Sequence, residues 1–256
     1  MHSTLSQLKL FEMTEQLLEN IQLINRRILN ACQKCGRNPG EVRLLLATKT
    51  VPAKRIITAV EAGYSLIAEN KIQEVKEKYE ALKEIPHESH FIGHLQTNKV
   101  KEVLKFDIAC VESLDRIELA EKLNQRLILE DKQLDVFIQV NTSGEESKFG
   151  VHPAAAIDLV QSVAKLDRLH IKGLMTIGLF SAEPQKVRPC FQLLKQLSDA
   201  IRALAIPGVD MRDLSMGMSG DLEIAIEEGA TIIRVGTAIF GKRIYPDSYY
   251  WDEQKA

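Results

Sequence analysis

Short apolar segments typical of β-strands alternate with amphipathic, helix-like segments from Val42 to Gly241. Helix-like stretches such as "PAAAIDLVQSVAKL" carry apolar residues at three- and four-residue spacing. The strand-like segments are 42–47, 65–68, 89–92, 108–111, 134–140, 170–175, 212–215 and 231–235. Eight strand–helix units within about 200–250 residues are typical of a closed (β/α)8 barrel. The predicted fold class is therefore α/β, a single TIM barrel.

An open, doubly wound sheet is the alternative fold. Such a sheet usually has a glycine-rich loop after its first strand. Here the first strand is followed by "TKTVPAK", which contains no glycine. The barrel is therefore the preferred interpretation.

The predicted domain organisation is one barrel domain over residues 1–256, with an N-terminal helix at about 4–36 and a short C-terminal tail at 242–256. The helix is indicated by apolar residues at helical spacing: Leu17, Ile21, Ile24 and Ile28. Cys32 and Cys35 form a lone C-x-x-C without a second ligand pair. A metal site is therefore not expected, and two reduced thiols are preferred over a redox role.

Composition and charge exclude several kinds of partner. The 33 basic and 35 acidic residues give a net charge of −2, so a nucleic-acid partner is not expected. No apolar run approaches the roughly 18 residues of a membrane span, and the N-terminus lacks the apolar core of a signal peptide. We expect a cytoplasmic protein that is a monomer.

Polar side chains follow nearly every predicted strand. Barrels of this type place their active sites at the carboxyl ends of the strands. The residues at those ends are Lys49, Asn70, His94, Ser113, Asn141, Thr176 and the loops "SMGMSGD" (215–221) and "RVGTAIFG" (234–241). We expect these groups to converge on one ligand.

The last two of these loops are the predicted phosphate site, because barrels often bind phosphate after strands seven and eight. Ser219 is predicted to cap the helix that follows it and to leave amide groups available there. Gly236 would allow close approach of the backbone, and Thr237 would add a hydroxyl and an N–H group. The alternative is that both loops are ordinary tight turns.

Lys49 and Arg234 suggest the rest of the ligand. A partly desolvated lysine has a lowered pKa, and its neutral amine can form a Schiff base with an aldehyde. Pyridoxal 5′-phosphate (PLP) is one phosphate-bearing aldehyde of this kind, and the sugar phosphate of an aldolase is the other candidate. Arg234 either points into the barrel mouth, where it could bond a ring nitrogen and stay charged, or faces a helix and reaches solvent.

Seven blocks of sequence, in order from Leu44 to Gly241, resemble the PLP-binding homeostasis proteins, which are single-domain relatives of the alanine racemase barrel. The blocks are "LLLATKT", "IAENKIQE", "HFIGHLQTNK", "VNTSGEESKFG", "GLMTIG", "LSMGMSGD" and "AIEEGATIIRVGTAIFG". The resemblance implies a fold like the alanine racemase N-terminal domain. Two positions depart from the family pattern: Ala68 replaces a glycine and Thr48 replaces a serine.

The resemblance also implies a role for each candidate residue. Lys49 would carry PLP covalently, and Arg234 would face the pyridine nitrogen and weaken the ring as an electron sink. Ser219, Gly236 and Thr237 would hold the phosphate. The residues expected around the cofactor are Asn70, His94 and Met216. Lys148 is a weaker candidate for a second PLP contact.

The function that this resemblance implies is PLP homeostasis, in which the protein buffers PLP and supplies it to PLP-dependent apoenzymes. No catalytic residue is assigned, because a racemase needs acid–base groups on both faces of the substrate carbon. The second base of alanine racemase is a tyrosine of an additional domain. Here the nearest candidates are Tyr245, Tyr249 and Tyr250 in the predicted tail. A PLP-dependent amino-acid racemase remains the alternative function.

Overall fold

Eight parallel strands and nine helices alternate along the described part of the computed structural model, which comprises residues 2–179, 181 and 183–241. The strands are β1 Arg43–Ala47, β2 Leu66–Glu69, β3 Glu88–Phe91, β4 Cys110–Leu114, β5 Leu134–Gln139, β6 Leu169–Met175, β7 Val209–Ser215 and β8 Ile232–Val235. The helices are α1 His2–Cys35, α2 Ala53–Glu61, α3 Ile72–Leu82, α4 Val100–Val103, α5 Ile117–Glu130, α6 Ala156–Val163, α7 Pro184–Ala203, α8 Leu222–Glu227 and α9 Thr237–Phe240.

The sheet closes into a barrel in sequence order, with β8 pairing to β1. Leu45 of β1 lies opposite Arg234 of β8 in this closing register. The predicted (β/α)8 fold is therefore confirmed, and the open sheet is wrong. The predicted strands match the observed ones to within three residues, and the largest differences are that β7 begins at Val209 instead of Arg212 and that β4 ends at Leu114 instead of Val111.

Two apolar cores follow from the alternation of side chains along each strand. One core fills the barrel interior and contains Leu45, Leu66, Ala68, Cys110, Phe137, Met175 and Ile232. The larger core lies outside it and includes the buried residues of the helices, such as Ile56 of α2 and Leu123 of α5. A residue's position in the alternation therefore decides whether it faces the interior or the helices.

The long helix α1 packs beside α8 and α9, the two helices that follow β7 and β8. Leu17, Ile21 and Ile24 form its buried face. Arg27 of the same helix donates to the Ser219 carbonyl at 3.0 Å. Helix α1 thus supports the loop that follows β7.

Several expectations concern features outside the barrel. Cys32 is buried and Cys35 is exposed, and both are free thiols. The predicted tail at 242–256 lies outside the described residues. Among the residues that the structure does describe, none form a metal-ligand cluster, and no helix has the length and apolar character to cross a membrane.

Candidate functional site

The predicted site residues lie at one end of the barrel, because the carboxyl ends of closed parallel strands form a single ring. Relative to the strands, their positions are Lys49 after β1, Asn70 after β2, His94 after β3, Met216 and Ser219 after β7, Arg234 within β8, and Gly236 and Thr237 after β8. The loop after β3 lies against the loop after β2, and the loop after β8 lies against the end of β1. A Cβ on Gly93 would come 1.9 Å from the Asn70 carbonyl oxygen, and one on Gly236 would come 2.8 Å from that of Ala47.

Lys49 is half-buried and lies in the turn between β1 and α2. Thr48 before it is fully buried, and its hydroxyl lies 2.6 Å from Glu69 Oε1 and 3.0 Å from the Ala68 carbonyl. Thr50 after it has a φ of 64°, a left-handed conformation that is rare for a β-branched residue. The turn is therefore held by its surroundings and not by its own preference.

A buried ion cluster surrounds this turn. Lys78 of α3 is 7% exposed, and its Nζ donates to Glu69 Oε1 at 2.7 Å and to Glu74 Oε2 at 2.5 Å. A third hydrogen bond, of 2.9 Å, runs from Nζ to the Thr48 carbonyl. Burial raises the pKa of Glu69 to about 7, although Lys78 and Thr48 favour the charged carboxylate. Sequence reasoning did not identify this cluster.

His94, after β3, lies against an aromatic side chain from the loop after β5. The Phe149 ring stacks on it, with ring centroids 3.9 Å apart and the planes at 17°. His94 Nδ1 is buried without a hydrogen-bond partner among the described residues, and it lies 3.6 Å from Asp115 Oδ2. Ser113 lies near the end of β4, and its Oγ is likewise buried without a hydrogen-bond partner among the described residues. The described side chains thus leave both of these buried polar atoms without a hydrogen bond.

The loop after β5 brings Phe149 to this position. Asn141 organises the loop, since its Nδ2 donates to the carbonyls of Glu145 and Lys148 at 2.9 and 3.0 Å. The Lys148 ammonium group donates to the Gly178 carbonyl at 2.7 Å and pairs with Glu145 at 2.5 Å. Lys148 is thus engaged within the protein.

Arg234 points into the barrel interior and not to solvent. It is 5% exposed and follows Ile232, an interior residue, by two positions. Its Nη1 donates to Ser215 Oγ at 2.8 Å and its Nη2 to the Thr176 carbonyl at 2.7 Å. Burial lowers its pKa, but an arginine remains charged under such conditions. The alternative of a solvent-reaching Arg234 is wrong.

A chain of buried polar groups leads from Arg234 down the barrel interior. Ser215 donates to Glu112 Oε2 at 2.5 Å, and Glu112 Oε1 lies 2.6 Å from His90 Nδ1. The other ring nitrogen of His90 lies 2.8 Å from Glu88 at the opposite end of the barrel. Burial opposes the charge on His90, but hydrogen bonds to the two carboxylates raise its pKa to about 9. The same bond to His90 lowers the pKa of Glu88 to about 2.

The last two loops differ from the prediction in one respect. Asp221, not Ser219, occupies the N-cap position of α8, and its side chain accepts from the Met218 amide at 2.6 Å. The Ser219 cap is therefore wrong, because the helix begins two residues later than that assignment requires. The amides of Ser219 and Thr237 have no hydrogen-bond partner within the described ranges.

Met216 lies next to the mouth but points away from it. Its side chain is fully buried and packs in the outer core between the strands and the helices. Thr237, by contrast, is exposed. The structure therefore brings the backbone of Met216, but not its side chain, to the site.

The donor set suits a phosphorylated aromatic aldehyde. Lys49 supplies an amine, and the amides of Ser219 and Thr237 are available to an anion. Gly236 has no side chain, and this allows its backbone to lie close to the Ala47 carbonyl oxygen. Arg234 supplies a charged donor that retains its proton. The amine, the backbone amides and the guanidinium group present thus suit the aldehyde, the phosphate and the ring nitrogen of PLP, respectively.

Comparison with known proteins places these features in a family. The family model described as "Alanine racemase, N-terminal domain" matches residues 16–244. The pyridoxal phosphate homeostasis protein of Aquifex aeolicus (strain VF5) is 43% identical over 230 residues, which cover 89% of this chain and 98% of the relative.

Two solved structures share the barrel. An unknown protein from Bifidobacterium adolescentis aligns with a TM-score of 0.84 and 40% identity, covering 90% of this chain and 96% of the other. PipY of Synechococcus elongatus PCC7942, solved with PLP bound, aligns with a TM-score of 0.74 and 29% identity, covering 85% and 100%.

Proposed function

We propose that this chain, which belongs to the pyridoxal phosphate homeostasis protein family with an alanine racemase N-terminal domain, binds PLP and acts as its carrier and buffer. The observation that carries the proposal is the position of Lys49 and the buried Arg234 at the same end of the closed barrel. Bound PLP would supply a reactive aldehyde and an electron-withdrawing ring.

Lys49 is the proposed point of covalent attachment. Its amine would add to the aldehyde carbon and form a C=N bond, with release of one water. The position of Lys49 in the turn after β1 supports this role, because the carboxyl ends of the strands are where barrels of this type bind their ligands.

The remaining side chains would hold the cofactor in place. The loop that contains Ser219 and the loop that contains Gly236 and Thr237 would bind the phosphate through their amides. Arg234 would donate a hydrogen bond to the ring nitrogen without transferring a proton, and so would limit the ring as an electron sink. Asn70 and His94 would border the ring, with the Met216 backbone nearby.

Supply of PLP, and not turnover, is the proposed role. A racemase needs a second acid–base group on the face of the substrate opposite the lysine. The tyrosines considered for that role, Tyr245, Tyr249 and Tyr250, lie outside the described residues. We propose a cytoplasmic, monomeric, single-domain protein with PLP-dependent apoenzymes as recipients. A weak or specialised amino-acid racemase is the competing function.

The test is covalent mapping of PLP on the purified protein. After incubation with PLP, borohydride reduction and peptide mass mapping should locate a pyridoxyl group on Lys49. The Lys49→Ala variant should lose that group, and the matched control Lys54→Ala, at an exposed position of α2, should retain it. A wild-type protein that stays unmodified with excess PLP would refute the proposal.

A second assay separates the carrier from the racemase. The PLP-loaded protein should restore activity to an apoenzyme added in excess, and should interconvert amino-acid enantiomers no faster than free PLP. Saturable racemisation that disappears in Lys49→Ala would instead establish the competing function.

A further inference from the structure

The two peptide groups that flank Lys49 are both held by the ion cluster of Glu69, Glu74 and Lys78. On one side, the Thr48 carbonyl accepts from Lys78 Nζ at 2.9 Å. On the other side, the Thr50 amide donates to Glu74 Oε2 at 3.0 Å. The backbone on both sides of Lys49 is thus connected to the Lys78 ammonium group, directly at Thr48 and through Glu74 at Thr50.

The Lys78 ammonium group at the centre of the cluster has all its hydrogen bonds, whereas Glu69 Oε2 is buried without a partner among the described residues. An ammonium group has three N–H donors, and those of Lys78 have three acceptors, on Thr48, Glu69 and Glu74. Glu69 also accepts from the Thr48 hydroxyl at 2.6 Å. A change at any one of the three charged residues therefore disturbs the turn that carries Lys49.

Stability alone does not explain a cluster of this kind. A buried ion pair loses so much solvation that apolar residues of similar volume often serve the fold equally well. Here the cluster supports a left-handed conformation at Thr50, which an isolated chain rarely adopts. Sites that react with a ligand need such support to fix their reactive group within a fraction of an ångström.

We propose that Lys78, Glu69 and Glu74 are positioning residues that set the Lys49 amine toward the ligand in the barrel mouth. This inference rests on the proposed function, because it takes Lys49 as the point of attachment. None of the three residues contacts PLP in this proposal. Their effect passes through the backbone of Thr48 and Thr50.

The experiment compares Lys78→Met with the matched control Lys83→Met. Lys83 lies at the end of the same helix and pairs with Glu80 at the surface, at 2.8 Å. Three quantities are measured on each folded variant. They are the rate constant for covalent attachment of PLP, the Kd of pyridoxine 5′-phosphate, and hydrogen exchange in the peptide that spans residues 46–51.

We expect Lys78→Met to slow attachment by about tenfold to a hundredfold, since small displacements of a reacting group have effects of that size. The Kd of pyridoxine 5′-phosphate, which has no aldehyde, should change by less than about twofold, because its phosphate site is intact. Hydrogen exchange around Thr50 should become faster. Lys83→Met should match the wild type in all three measurements.

Attachment at the wild-type rate in folded Lys78→Met would overturn the proposal, as would an equal loss of pyridoxine 5′-phosphate affinity. If Lys78→Met does not fold, Glu74→Met and Glu74→Gln decide. Glu74→Gln retains an oxygen for the Thr50 amide and should react faster than Glu74→Met, and equal rates would refute the role. A wild-type protein that forms no adduct at Lys49 would refute the proposed function, while hydrogen exchange would still report whether the cluster anchors the turn.

Discussion

His90 should make the stability of the barrel depend on pH between about 7 and 9. Its ring is buried between the carboxylates of Glu112 and Glu88, and their hydrogen bonds raise its pKa from 6.5 to about 9 against the opposing effect of burial. The folded protein therefore keeps the His90 proton over a pH range in which the unfolded chain releases it.

The sign and size of the effect follow from this difference in proton binding. A raised pKa contributes stability that is fully present below pH 6.5 and is lost as the pH rises through about 9. Each pKa unit corresponds to about 1.4 kcal/mol, so the whole contribution is about 3 kcal/mol. The low pKa of Glu88 arises from its hydrogen bond to His90, so it adds no separate contribution to this free energy.

The measurement is the free energy of unfolding in urea at a series of pH values. The variant His90→Gln/Glu112→Gln replaces both titrating groups with neutral amides of similar size. Between pH 7 and 9, the wild type should lose about 1.4 kcal/mol per pH unit more than this variant. Burial is the largest cause of the raised pKa values of Cys32 and Cys110 and acts in both proteins, whereas the smaller effect of the Glu112 charge on Cys110 is absent from the variant.

A destabilising variant without a titratable group serves as the control. Val136→Ala, at a fully buried position of β5, should lower stability and keep the wild-type pH dependence. If the double variant shows the same slope as the wild type, the histidine does not hold its proton as the geometry requires, and the reasoning fails.

Three further predictions concern single residues. Glu112→Gln alone should lower the free energy of unfolding by about 3 kcal/mol, because it leaves His90 and Arg234 without their shared carboxylate; equilibrium urea unfolding at pH 7 tests this. Gly173→Ala should destabilise by about 3 kcal/mol or more, since its Cβ would lie 1.8 Å from the Asp213 carbonyl oxygen and would separate β6 from β7; an unchanged unfolding curve would contradict this. Gly236→Ala should weaken PLP binding by about tenfold, because its Cβ would lie 2.8 Å from the Ala47 carbonyl oxygen and would displace the proposed phosphate loop; equilibrium titration measures the Kd, with Gly40→Ala, which precedes β1 and whose Cβ would meet only the Asn38 side chain, as the control.

Much of the fold could be predicted from local patterns. Strand and helix periodicities differ, and each is carried by neighbouring residues, so the eight units were recognisable without any contact information. The closed parallel topology then implies that residues at strand ends meet. That is why Lys49 and Gly236, far apart in the chain, could be predicted to lie at one end of the barrel, and the structure brings Gly236 close to Ala47, two residues before Lys49.

Other features depend on contacts that local patterns do not report. The inward direction of Arg234 depends on its partners Ser215 of β7 and Thr176, directly after β6, and the capping of α8 by Asp221 depends on where that helix begins. The stacking of Phe149 on His94 joins loops from different units. Each of these depends on which side chains the closed barrel brings within hydrogen-bonding or packing distance.

The sequence by itself determined the barrel and which residue types stand at the carboxyl ends of its strands, where a ligand is predicted to bind, because these follow from periodicity and chain order. Only the tertiary structure showed that Lys78 joins the backbone on both sides of Lys49, and that His90 and Glu112 connect to Arg234. The reason is physical: a buried charge is stable only with partners at hydrogen-bond distance, and folding alone decides which partners those are.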